Sequence, residues 1–160
     1  MMADFTRLSR DWTTWSSWFG MSNVSVSVEN DHEACFKSDD ETFCLRIEGE
    51  WWVVDSINDR GKKYEAIGSF SSFELAEKYL ISRWAFTVTG APELGPELYA
   101  RGMNPDVAVR PTDDEWRVEL ESGVGNVRLS TPEATIFSHL MLTPTDQIER
   151  RADHTVSQAR

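Results

Sequence analysis

The sequence predicts an α+β fold, a mainly antiparallel sheet flanked by an N-terminal, a middle and a C-terminal helix, and three observations carry that prediction. Phe5, Leu8, Trp12, Trp15 and Phe19 recur at spacings of three and four, the period of an amphipathic helix. "VSVSV", Val24 to Val28, alternates strictly, as a half-buried strand does. Gly49-Glu50 then interrupts a long strand-like run in the manner of a two-residue hairpin turn. A chain of 160 residues is expected to form one domain over 1–160, ordered from about 4 to 150 with a polar tail over 151–160.

The first helix covers residues 4–19 and ends at Gly20. After Val24–Val28 the polar turn "ENDHE" leads to a short strand around Ala34 to Lys37, and "SDDE" makes the next turn. Phe43–Glu48 and Trp51–Ile57 form a hairpin whose turn has Gly first, as type II′ requires. That turn sets Glu48 opposite Trp51, Ile47 opposite Trp52, Arg46 opposite Val53 and Leu45 opposite Val54. One face therefore collects Phe43, Leu45, Ile47, Trp52 and Val54 and is expected to be core. The other collects Cys44, Arg46, Glu48, Trp51, Val53 and Asp55. This mixed face is either covered by a helix or kept for a partner.

A strand from Tyr64 to Phe70 follows the loop "NDRGKK", and a helix from Ser71 or Ser72 to about Phe86 follows the strand. Ser71 and Glu74 have capping-box spacing, and Phe73, Ala76, Tyr79, Leu80 and Trp84 supply its stripe. "GAPELGPELYARGMNPD" reads as a long surface connection. Trp116–Leu120 and Asn126–Leu129 pair across "ESGVG". A last helix opens at Thr131, with Thr131 as cap, Pro132 at its first position and Glu133 in its first turn. Ile136, Phe137, Leu140 and Met141 are to face inward.

A net charge of −11 disfavours nucleic acid, whose phosphates are bound by Lys and Arg, and equally disfavours an anionic membrane. It favours solubility and fast association with a basic partner. The N-terminus has no apolar signal segment, so the expected location is cytoplasmic. Cys35 and Cys44, without a second pair to build a zinc site, read as buried reduced thiols. His32, His139 and His154 are scattered, Gly123-Val124-Gly125 lies between strands, and no nucleophile elbow is present. No catalytic residue, metal site or cofactor is expected. The runs "SDDE" and "TDDE", with Asp39, Asp40, Asp113 and Asp114, are solvated turns on the plain reading and contacts for a basic partner on the functional one.

The stretch "EWWVVDSINDRGKKYEAIGSFSSFELAEKYL" resembles the bacterial immunity proteins typified by the immunity factor of the tuberculosis necrotizing toxin, the immunity protein 61 family. The features that carry the resemblance are Asp11-Trp12 in the first helix, the Trp-rich strand, Asp59-Arg60, Tyr64-Glu65 and the segment Glu77 to Leu80. The resemblance implies a cytoplasmic, non-catalytic antitoxin that forms a 1:1 complex with a cognate toxin, an NAD glycohydrolase, and occludes its NAD site. It marks Asp59 and Arg60, which no local fold rule demands, so part of the contact is placed there and on Trp51. The competing role for Arg60 is an ion pair that pins its loop. Two other classes remain: a binding module such as a secretion chaperone, and an enzyme whose site assembles only in space.

Overall fold

The computed structural model describes residues 3–159. The chain runs α1 (Thr6–Phe19), β1 (Ser25–Asn30), β2 (Glu33–Lys37), β3 (Glu41–Glu48), β4 (Trp51–Asn58), β5 (Lys63–Phe70) and α2 (Phe73–Thr87). A short 3-10 helix (Pro92–Leu94) and α3 (Pro96–Ala100) follow. The chain ends with β6 (Ala108–Pro111), β7 (Arg117–Ser122), β8 (Gly125–Ser130), α4 (Thr131–Leu140) and α5 (Thr145–Gln158). All eight strands join one antiparallel sheet in the order β1-β2-β3-β4-β5-β8-β7-β6. The expected α+β class and antiparallel sheet are what the structure has.

The β3–β4 register matches the one set by the turn, from Glu48 opposite Trp51 to Leu45 opposite Val54. Gly49 alone in that turn has positive φ, at 62°, as type II′ requires. Phe43, Leu45 and Val54 are buried, but Ile47 is exposed and Trp52 only half-buried, because both lie near the turn where the helical layer thins. Trp52 closes the core edge with its ring 5.2 Å from Phe73.

The helices lie on one face. α2 crosses β4 and β5, α4 crosses β7 and β8, and α1 and α5 pack on α2. Enclosed on nearly every side, α2 buries Leu75, Ile81 and Ala85 as well as Ala76, Tyr79, Leu80 and Trp84 of its expected stripe, while Phe73 in its first turn is half-buried. Between α2 and the sheet, Trp84 contacts Trp12, Phe36 and Phe43 at centroid distances of 5.0, 5.2 and 6.0 Å. The Trp12 indole donates to the Lys37 carbonyl at 3.1 Å, fixing α1 to the end of β2.

Several expectations are corrected. Phe19 is 55% exposed, since α1 has already left the sheet at its last turn. The α2 cap is Ser72, whose hydroxyl accepts from Leu75 N at 3.2 Å, while the Ser71 hydroxyl accepts from Asn126 N. In α4 the cap is Ser130 and Thr131 is already helical. The connection after α2 is not a plain surface loop: its prolines open two short helices, and Leu94, Leu98 and Val107 are buried. Residues 151–158, read as part of a polar tail, continue α5, held by Ile148 and Ala152. Cys35 and Cys44 are directly opposed on β2 and β3, half-buried on the face away from the helices, with Cα atoms 4.1 Å apart, and they form a disulfide. Nothing in the "SDDE" turn had fixed that register. No helix of the described residues is long and apolar enough to cross a membrane.

Candidate partner-binding site

The mixed face is the sheet's open face: Phe43, Leu45 and Val54 of the other face join the core packed by the helices, whereas Val53 of the mixed face does not. Register aligns Arg46, Val53, Ser69, Arg128, Glu119 and Arg110 in one row across β3, β4, β5, β8, β7 and β6. Charges along the row pair with neighbours. Arg128 donates to Glu119 at 2.7 Å and holds that carboxyl below the usual range. Arg110 reaches Glu121 at 3.0 Å. The Arg128 guanidinium also lies 4.4 Å from the Trp51 ring centroid. Trp51 is thus half-buried under an arginine, within a self-satisfied ladder.

Asp55 organises the middle of this face. Its carboxylate, buried in the sheet, accepts from Arg46 Nε at 2.8 Å and from Ala66 N at 2.8 Å. Hydrogen bonding to Asp55 pushes the Arg46 pKa upward. The β4–β5 register shifts between Val54 and Ser56, and Ala66 takes a φ of 51°. Such a conformation is uncommon for a residue with a Cβ and needs support from its surroundings. Asp55 supplies it at the amide, and Arg117, donating to the Ala66 carbonyl, supplies it on the other side. A carboxylate amid "WWVVDSIN" was the sequence signal for this bulge.

The bulge borders a groove of about 570 Å³ lined by Ala66, Pro111, Asp113, Asp114, Arg117 and Arg128 among others. The Thr112–Trp116 turn lines this groove, and the antiparallel order brings the Ser38–Asp40 and Asp59–Lys62 turns to the same end of the sheet. Six of the expected site residues, Asp39, Asp40, Asp59, Arg60, Asp113 and Asp114, lie at this end. Trp51 lies at the other, roughly 23 Å away along β4 at about 3.3 Å per residue.

The turns are held by local hydrogen bonds, most of them from side-chain oxygens to backbone amides. Asn58 Oδ1 accepts from Arg60 N at 3.0 Å and Lys62 N at 2.9 Å, and Gly61 has a φ of 80°. Asp59 and Arg60 are exposed, and among the described residues neither side chain forms an ion pair, so loop pinning is not the role of Arg60. Asp39 accepts from Asn23 Nδ2 at 2.7 Å. Asp114 accepts from Trp116 N at 2.9 Å and pairs with Arg117 at 3.6 Å. Trp116, read only as the start of a strand, is 73% exposed at this end.

Away from the sheet, Arg7 and Arg10 of α1 close on Glu149 of α5, Arg10 at 2.9 Å. Burial and the neighbouring Glu149 push the Asp11 carboxyl up to about 8. Burial works against ionised Glu149 too, but Arg7, Asp11 and Arg10 hold its pKa at about 2. Between α2 and α4 a cavity of about 200 Å³ is lined by Phe86, Leu94, Ile136 and Phe137, and its polar groups, Tyr79, Arg83 and Glu133, bond to one another. Among the described residues no cluster of His, Cys, Asp and Glu is arranged to hold a metal ion.

The family described as immunity protein 61 matches residues 18–153. Of the residues that carry the resemblance in sequence, Asp11-Trp12 precede that span. The fold is similar to that of Rv3902c from M. tuberculosis, with a TM-score of 0.64 and 17% identity over 89% of this chain and 86% of that one. No curated protein matches the chain.

Proposed function

The chain belongs to the immunity protein 61 family, and from that membership we propose that it is a cytoplasmic antitoxin that binds an NAD-hydrolysing toxin 1:1 and occludes its NAD site. The immunity role comes with the family. The target and the mode of inhibition are our reading, and one observation supports them most: an end of the sheet from which turns bearing Asp39, Asp40, Asp59, Asp113 and Asp114 emerge together, with Asp113 and Asp114 lining a groove. A pocket that holds a pyrophosphate must present positive potential, and carboxylates fixed on turns are suited to enter it. Inhibition by occlusion asks for no catalytic group on the chain.

The antitoxin reading does not depend on the disulfide. A reducing cytoplasm would hold Cys35 and Cys44 as thiols, and they lie on β2 and β3 at mid-strand, away from the turns. The test is co-expression in a bacterial host with a cognate candidate, an NAD-hydrolysing toxin domain from the same genome. Growth and cellular NAD are expected to be restored, and the pair to elute as a 1:1 complex. Toxicity that persists at equal expression levels would refute the reading.

A further inference from the structure

We propose that Trp116 is the anchor of the toxin contact, an indole that enters the slot made for one ring of NAD while Asp113, Asp114 and Glu115 face the basic groups that would hold the pyrophosphate. This rests on the antitoxin reading above and adds which part of the chain forms the plug.

The first support is the exposure of the indole. At 73% it is the most exposed large apolar side chain among the described residues, whereas Trp12, Trp15 and Trp84 are at 1%, 2% and 0%. An indole left in water contributes nothing to the core, and aromatic side chains of this kind are the commonest anchors of protein interfaces.

Its backbone, by contrast, is fastened. Trp116 N donates to Asp114 Oδ1 at 2.9 Å, and its carbonyl accepts from Thr131 N at 3.1 Å. The Thr112 hydroxyl accepts from Asp114 N and shares its one hydrogen between the Asp114 and Arg117 carbonyls, 2.9 and 3.0 Å away. The turn is therefore ordered before any partner arrives, so its ordering entropy is not charged to the complex.

Chemistry selects the occupant. NAD is two planar rings joined by a doubly charged pyrophosphate, so its pocket offers ring slots beside positive potential. Asp113-Asp114-Glu115-Trp116 offers a planar ring and three exposed carboxylates in four consecutive residues. Asp113 and Glu115 have no ion-pair partner among the described residues, which leaves them available to cations of a partner.

The experiment measures inhibition of the toxin domain's NAD hydrolysis, and its affinity, for the full chain and for W116A, W116F and D113N/D114N/E115Q, each with its melting temperature. W116A is expected to melt as the wild type and to weaken inhibition by a hundredfold or more, with W116F recovering most of it. The triple variant is expected to associate at least tenfold more slowly at low salt and to lose most of the salt dependence. W116A within threefold of wild type overturns the proposal while leaving the antitoxin reading intact. A wild-type chain that neither binds nor inhibits the toxin removes that reading, and the proposal with it.

Discussion

Trp51 and Trp52 take different neighbours because adjacent strand residues point to opposite faces, and the two-residue turn before them fixes which face is which. Trp52 packs on Phe73 at the core edge and Trp51 lies under Arg128 on the open face. Half-burial puts the cost of W52A near about 2 kcal/mol, below the 3–5 kcal/mol of a fully buried aromatic. W51A loses a cation–π contact of about 0.5–1 kcal/mol and the partial burial of its ring, but no contact with the core, so its cost is expected to be the smaller. Urea unfolding separates the two, and equal losses would contradict this placement. This much was legible from Gly49-Glu50 alone. Trp116 was not, because periodicity reports a buried stripe and is silent about a ring left in water.

Asp11 gives a second residue-scale prediction. Its carboxyl titrates at about 8 in the folded chain, against a reference of 3.8. The folded state thus keeps a proton that the unfolded state has released, and stability falls as pH rises from about 4 to 8. The slope reaches up to about 1.4 kcal/mol per pH unit. Glu77, raised to about 7 chiefly by burial, acts in the same direction. Glu149, with its lowered pKa, has the opposite sign, but its stabilisation is lost only as pH falls through about 4 toward 2. Melting temperature is expected to decline from pH 5 to pH 8, and D11N to flatten the decline. A midpoint that rises over this range would contradict the assignment.

Among the elements, α5 was the one least legible in sequence. Only Ile148, Glu149 and Ala152 of its residues are buried, too narrow a stripe to stand out among polar neighbours. Yet it covers α2 and gives Arg7 and Arg10 their shared carboxylate. Deleting residues 145–160 is expected to cost on the order of 3–5 kcal/mol, from a lost aliphatic contact and two arginines stripped of their partner. An unchanged urea midpoint would show that α5 is not part of the folded unit. The β2–β3 disulfide closes a short loop, so its reduction is expected to cost about 2–3 kcal/mol or less. Convergence of the three turns at one end of the sheet is also a property of elements. Each turn was visible in sequence, but their common end depends on the strand order, in which β8 inserts beside β5.

At the scale of the molecule, one face of the sheet is closed by helices and the other carries a ladder of paired charges, so the −11 net charge is expressed mainly at turns and ends. Charge so placed acts on encounter more than on the bound state. Association with the toxin is therefore expected to slow as salt shortens the screening length to about 10 Å at 0.1 M. The measurement closest to the central claim is a titration of the toxin domain's NAD hydrolysis with this chain at several NAD concentrations. The expected result is a linear fall to zero at one equivalent when NAD is low, a titration that curves and needs more chain as NAD rises, and no NAD consumed by the chain alone. Hydrolysis that continues in the presence of excess chain, or inhibition indifferent to NAD, would contradict it.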